Sequence, residues 1–154
     1  MLIEKRLEEL GIELQEAVAP MANYVTAQRS GDLLFLAGAG PLRDGKATIV
    51  GKLGDNMTIE EGYAAARESA INLICNLKSQ VGDLDKVDQI LKILAFVNCT
   101  PDFEDQPAVI NGCSDLLVEV FGDKGRHARS AVGTNSLPCG IPVEIVEMVV
   151  RIKD

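Results

Sequence analysis

Two charged residues near the C-terminus sit where charge is expensive. Arg129 opens the run Arg129-Ser130-Ala131-Val132-Gly133, and Glu144 lies within Val143-Glu144-Ile145, with Leu137-Pro138 between them. The runs read as two consecutive, otherwise apolar strands joined by a Leu-Pro turn. A charge in such a strand is costly to bury unless it pairs or holds a ligand. A guanidinium fixed there can grip a small carboxylate through two parallel hydrogen bonds. A carboxylate nearby can take and return a proton. The plain alternative leaves both residues in solvent, or pairs them with each other.

The elements that must position them follow from pattern. Ile3, Leu7 and Leu10 recur at helical spacing, and Gly11 can end that short helix. Tyr24 to Gln28 and Leu33 to Ala37 read as strands around the turn residues Ser30-Gly31-Asp32. Gly38-Ala39-Gly40-Pro41 lacks a third glycine, and its proline blocks helix entry. It therefore reads as a tight loop rather than a dinucleotide fingerprint. Arg43 to Asn56 is a polar loop with a short strand expected at Thr48 to Val50.

Thr58 and Glu61 then form a capping box ahead of the apolar stripe Tyr63, Ala66, Ala70, Leu73, Leu77 and Val81, which Gly82 stops. Val87 to Asn98 reads as a largely buried strand. A second helix is expected over Gln106 to Phe121, with Val109, Ile110, Cys113, Leu116, Leu117 and Val120 as its stripe and Gly122 at C′. The two strands carrying Arg129 and Glu144 complete the order β-β-α-β-α-β-β. That order suggests an α+β layer, one sheet with both helices on one face. Residues 1–154 read as one domain with an N-terminal helical extension over about residues 1–18. In Val143 to Val150, apolar residues populate both faces of the strand. The face without helices must then be covered, and another subunit is the economical cover.

Composition weighs against several classes of function. Of 154 residues, 25% are charged and the formal net charge is −8, which repels phosphate backbones unless cations are gathered locally. The densest basic stretch, Lys124 to Arg129, is short, so nucleic-acid binding is disfavoured. No apolar run reaches membrane-spanning length. The N-terminus lacks the apolar core of a signal peptide, so a cytoplasmic location is the expectation. Cys75, Cys99, Cys113 and Cys139 form no C-x-x-C pair, and the chain has a single histidine, His127. No metal site is expected, and the thiols should be reduced.

The chain from about Tyr24 to Val150 resembles the Rid family, the reactive-intermediate deaminases, also called YjgF-like or L-PSP-like proteins. Arg129-Ser130, Leu137-Pro138 and Val143-Glu144-Ile145 carry the resemblance at the family's spacing. Leu36-Ala37-Gly38 before a Gly-Pro loop, and Asn111 ahead of the Phe121-Gly122 helix end, reinforce it. The resemblance implies a chorismate-mutase-like fold. It also implies a homotrimer whose sheets join in a central barrel, with small imino- or keto-acid ligands bound at the subunit interfaces. The implied activity is hydrolysis of enamines and imines such as 2-aminoacrylate to 2-keto acids and ammonia, without metal or organic cofactor.

By the same resemblance, Arg129 holds the substrate carboxylate and Glu144 orients or activates water. Tyr24, Asn111, Ala37, Gly38 and Ala131 line the pocket. Two positions depart from the family pattern: Ala37 replaces a serine, and Ala131 replaces a cysteine. The second is tolerable if a backbone carbonyl makes that contact, whereas the first removes a hydroxyl from the site. A non-catalytic trimer that binds small carboxylates is therefore the competing expectation. A ribonuclease is disfavoured by the charge and the lone histidine, and a chorismate-mutase-like activity rests on fold alone.

Overall fold

The computed structural model describes residues 1–17, 19, 20 and 22–154. Both long helices form where their local signals put them. Helix α2, Ile59–Val81, follows α1 (Leu2–Glu9) and four short strands. The Thr58 hydroxyl accepts the Glu61 amide at 3.2 Å, and the Thr58 amide donates back to Glu61 Oε1 at 3.1 Å. Gly82 ends the helix at φ 77°, a backbone region that costs glycine little. Helix α3 runs Gln106–Phe121, and all six residues of its expected stripe are buried.

The two helices cross at Gly112. A Cβ built there would lie 2.0 Å from the Tyr63 carbonyl oxygen. The obstacle is backbone, so only separating the helices would relieve it. Gly112→Ala gains helix propensity of about 1 kcal/mol. The overpacking outweighs that gain, and we expect a net loss of about 2–3 kcal/mol. Thermal unfolding should show a melting temperature lowered by roughly 4–12 °C; an unchanged value would contradict the close crossing.

The main sheet has the order β1-β2-β7-β5-β6, with β1 Ala27–Ser30, β2 Leu33–Leu36, β5 Val87–Asn98, β6 Ala128–Thr134 and β7 Val143–Ile152. Strands β3 (Leu42–Arg43) and β4 (Lys46–Ala47) make a separate small ribbon. Leu34, Leu36, Ile90, Ile93, Ala95, Val97, Val143, Ile145, Met148 and Val150 are buried in the hydrophobic core between sheet and helices. Alternation along each strand sends the intervening residues to the opposite face. There Phe35 is 40% exposed and Val132 44% exposed, with Leu94, Phe96 and Val149 half-buried beside them. This sheet face, which the chain's own helices leave uncovered, thus carries an apolar patch of Phe35, Leu94, Phe96, Val132 and Val149 with Lys92 and Ser130 beside it.

The expected α+β layer forms, and several details differ. Strand β1 starts at Ala27, so Tyr24 lies in the loop before it. Thr48 to Val50 forms no strand; the ribbon partner is Lys46–Ala47, set by the turn Asp44-Gly45, both at positive φ. The N-terminal extension is helical only over Leu2–Glu9; Ile12 to Ala17 has no regular structure, and Val18 lies outside the described residues. Asp85 anchors that helix by accepting the Leu2 and Ile3 amides at 2.8 and 2.9 Å. Among the described residues, no helix is long and apolar enough to cross a membrane.

The strands carrying Arg129 and Glu144 are not neighbours. Strand β6 runs parallel to β5, and β7 runs antiparallel to β5 on its other side. The Leu137-Pro138 segment is therefore a crossover past the end of β5, not a hairpin turn. It contains a single 3₁₀ turn, Pro138–Gly140, and docks through the bond from the Gly51 amide to the Gly140 carbonyl at 3.1 Å.

Candidate functional site

Arg129 pairs in register with Ile93, whose side chain is in the helix-side core. The arginine therefore turns toward α3. Its Nη1 donates to Asn111 Oδ1 at 2.9 Å and to Ser114 Oγ at 3.2 Å, and its Nη2 donates to the Pro107 carbonyl at 3.3 Å. Pro107, Asn111 and Ser114 follow one another at helical spacings of four and three, so one face of α3 supplies all three acceptors. None of them carries charge. Among the described residues, the ion pairs do not include Arg129. The guanidinium has five N–H groups. Three are engaged, which leaves two, the number that a carboxylate takes.

Glu144 belongs to a second cluster. It pairs in register with Phe96, three residues further along β5 than Ile93, and it is half-buried between the buried residues Val143 and Ile145. Alternation puts it on the open face of the sheet, opposite to the face that Arg129 uses. The expectation that Glu144 stands across the Leu137-Pro138 hinge from Arg129 is thus incorrect within one chain, because β5 lies between the two strands and the side chains leave opposite faces. A direct Arg129–Glu144 ion pair is excluded for the same reason. Burial raises the Glu144 carboxyl above its ordinary pKa, with no cation offsetting it among the described residues.

Gly38 forms the wall beside Glu144. A Cβ on Gly38 would lie 2.9 Å from Glu144 Oε1, 3.2 Å from the Val146 carbonyl and 3.3 Å from the Ile145 carbonyl. The close approach depends on the β5–β7 register shift, which leaves Val146 unpaired between Ile145 and Glu147. It also depends on Ala39, which exchanges two 3.0 Å backbone bonds with Ile145. Only glycine fits here without displacing the carboxylate. Ala37 and Gly38, with Tyr24, line a cavity of about 190 Å³ that reaches to Asn72 and Asn76 on α2 and is walled by Gln15 to Ala17. Asn72 holds the loop in place by donating to the Gly40 and Leu42 carbonyls, each at 2.9 Å.

The seven residues expected at the site therefore fall into two groups on opposite sides of the chain. Arg129 and Asn111 are joined directly at the β6–α3 edge. Tyr24, Ala37 and Gly38 line the cavity beside α2, and Glu144 meets that group only through Gly38. Ala131 pairs in register with Ala95 and rests its methyl group on the core near the first group. Ser130 points to the open face, where its Oγ accepts Lys92 Nζ at 2.7 Å.

Sequence reasoning missed Ser114 and His127. Part of the signal was present: Ser114 follows Asn111 by three on α3, a spacing that keeps the pair on one helix face, and His127 stands two residues before Arg129, in the segment just ahead of β6. Burial, more than the opposing Gly125 hydrogen bond, lowers the His127 pKa, and the nearby Arg129 cation lowers it further.

One acidic trio among the described residues, Glu4, Asp83 and Asp85, has its carboxylates close together. Its oxygens accept backbone amides of Leu2, Ile3, Leu84 and Asp85, so the cluster is explained by holding α1 against the turn before β5. The four cysteines are free; Cys75, Cys99 and Cys113 are buried, and Cys139 is exposed.

Known proteins define the class. Residues 4–149 match the family described as "YjgF/chorismate mutase-like, putative endoribonuclease". The chain is 43% identical over 148 residues to protein TCP17 of Trypanosoma cruzi, covering 96% of this chain and 92% of that one. It superposes with TM-score 0.89 on the protein Atu1372 of Agrobacterium tumefaciens, described as of unknown function, at 40% identity, covering 99% of this chain and 94% of that one. It superposes with TM-score 0.92 on a Shewanella oneidensis protein described as a "putative endoribonuclease", at 33% identity, covering 97% and 99%. The fold is that of a YjgF-like α+β layer, with chorismate-mutase-like topology. The chain belongs to the YjgF-like, or Rid, family.

Proposed function

We propose that this protein is a hydrolytic deaminase of small enamine and imine acids of the 2-aminoacrylate type, yielding 2-keto acids and ammonia, and that it acts as a homotrimer. The observation that carries the reading is Arg129: a half-buried guanidinium oriented by neutral acceptors, with two donors unspent and no carboxylate beside it among the described residues. Such a group is incomplete without an anion. The two clusters lie on opposite sides of one chain, and the open sheet face carries an apolar patch. Association through that face covers it and brings the Arg129 edge of one subunit to the Gly38–Glu144 wall of its neighbour. Light scattering at micromolar concentration should give three chain masses; a well-folded monomer would contradict the shared site.

The chemistry needs only water. The enamine is protonated at carbon to the imine, and the carboxylate rests on Arg129. Glu144 takes a proton from water as its oxygen bonds to the imine carbon. The tetrahedral carbinolamine forms, and the nitrogen gains a proton. The C–N bond then breaks, ammonia leaves, and the remaining hydroxyl becomes the keto oxygen as its proton is lost. A glutamate whose pKa is raised by burial suits both halves of this exchange. The test is release of ammonia and keto acid from enzymatically generated 2-aminoacrylate.

Ala37 favours a second reading, a trimer that binds small carboxylates without turning them over, because no hydroxyl stands at that position to hold water or substrate. Pyruvate binding in the absence of any deaminase activity would select it. The ribonuclease reading has less support: the net charge is −8 with a single histidine, and that histidine's Nδ1 is occupied by the Gly125 carbonyl.

A further inference from the structure

Arg129 is held by three groups, and one of them is itself held. His127 Nδ1 lies 2.7 Å from the Gly125 carbonyl oxygen. A carbonyl only accepts, so Nδ1 carries the proton of the neutral ring and Nε2 bears its lone pair. Nε2 lies 2.9 Å from Ser114 Oγ, which must therefore donate its hydroxyl hydrogen to the ring. The oxygen's lone pairs are left for Arg129 Nη1, 3.2 Å away. Every donor in this chain is thereby assigned, from Arg129 through Ser114 and His127 to Gly125. The opposite tautomer would set a lone pair against the carbonyl and take away Ser114's acceptor.

We propose that Ser114 and His127 are positioning residues for the carboxylate-binding arginine, the imidazole tautomer committing the Ser114 hydroxyl and the hydroxyl oxygen fixing the guanidinium. This rests on the reading of Arg129 as a carboxylate anchor. An arginine side chain otherwise gives up rotamer entropy when a ligand immobilises it. Fixing it beforehand removes part of that cost. Neutral partners suit the task, because a carboxylate partner would cancel the charge the ligand needs. Arg129 is the charged group that bears on His127 among the described residues. The Cys113 thiol of α3, which also senses Arg129, has its pKa pushed by burial up to about 12 and stays uncharged.

The chain has one histidine, so nitrogen NMR reads His127 without assignment. The expected spectrum at pH 7.5 is that of the Nδ1–H tautomer. The His127 pKa should rise in Arg129→Met and on saturation with pyruvate, since each removes or neutralises the neighbouring cation. By calorimetry, Ser114→Ala and His127→Leu should weaken pyruvate binding about five- to tenfold, the net worth of one hydrogen bond. His127→Gln, whose amide oxygen replaces Nε2 as acceptor, should return affinity to within about twofold of wild type. An Nε2–H tautomer, or unchanged binding in folded His127→Leu, overturns the proposal. If the leucine variant does not fold, Ser114→Ala decides in its place. If wild type binds no pyruvate, the carboxylate reading is what fails. The tautomer and the Arg129→Met shift then judge the positioning alone: Nδ1–H with a raised pKa upholds it, and Nε2–H or an unmoved pKa overturns it.

Discussion

Glu144→Gln should lower kcat for imine hydrolysis by about 10²–10⁴-fold, the usual cost of losing a general base, while pyruvate affinity stays close to wild type. Glutamine keeps the shape beside Gly38 and can still hydrogen-bond water, but it cannot take water's proton. Water activation belongs to the transition state, whereas the carboxylate grip at Arg129 operates in ground and transition states alike, so the loss falls on kcat rather than KM. The pH profile supplies an independent check. The base must be ionised, so activity should fall as pH drops through the Glu144 pKa. Because burial raises that pKa, the acid limb should lie above the ordinary glutamate value of about 4.3. Stability moves the other way. A carboxyl with a raised folded-state pKa binds its proton more tightly folded than unfolded, so its contribution is fully present below the unfolded pKa and is lost as pH rises through the folded one. Glu144→Gln should therefore be the more stable protein at pH 7–8, with the difference gone at acid pH. Equal kcat in variant and wild type would remove Glu144 from the chemistry.

Arg129→Ala should lose about 2–5 kcal/mol of pyruvate affinity, the range for truncating one partner of a hydrogen-bonded charge pair. Arg129→Lys should recover little of it. Lysine keeps the charge but presents a single ammonium, which cannot satisfy Asn111, Ser114, Pro107 and a carboxylate in one plane. Calorimetry on the folded variants decides: equal binding by Arg129→Ala and wild type would show that the carboxylate is held elsewhere.

How far the sequence could be read depended on the range of the signal. The start and stop of α2 were legible because Thr58, Glu61 and Gly82 act within one helical turn of themselves. The limits of α3 were legible because its six-residue stripe has a single period and ends at Gly122. Arg129 stood out as a charge in an apolar strand, and the structure shows it half-buried with no counter-ion among the described residues. The placing of β6 was not legible. Whether Leu137-Pro138 turns back or crosses over depends on which side of β5 each strand docks, and that is settled by contacts some 40 residues apart in the chain, such as Ile93 with Arg129 and Phe96 with Glu144. The facing error followed from it: two strands assumed adjacent put their charges together, while two strands flanking β5 put them on opposite faces. The turn Ser30-Gly31-Asp32 marks a strand before it but not where that strand begins: Tyr24 to Gln28 reads as strand, yet pairing begins only at Ala27. Ser114 and His127 did not stand out for a different reason. Each is unremarkable alone, and their role exists only through a hydrogen-bond chain that joins α3 to β6.

The deaminase assignment is tested most directly by the release of ammonia and 2-keto acid from 2-aminoacrylate, generated in place by a dehydratase, with and without this protein. Release should stand well above the spontaneous rate, abolished in Arg129→Ala and reduced by about 10²–10⁴-fold in Glu144→Gln. Wild-type protein that forms a trimer and binds pyruvate, yet adds nothing to the spontaneous rate across several imino acids, would contradict the deaminase assignment and leave a carboxylate-binding protein in its place.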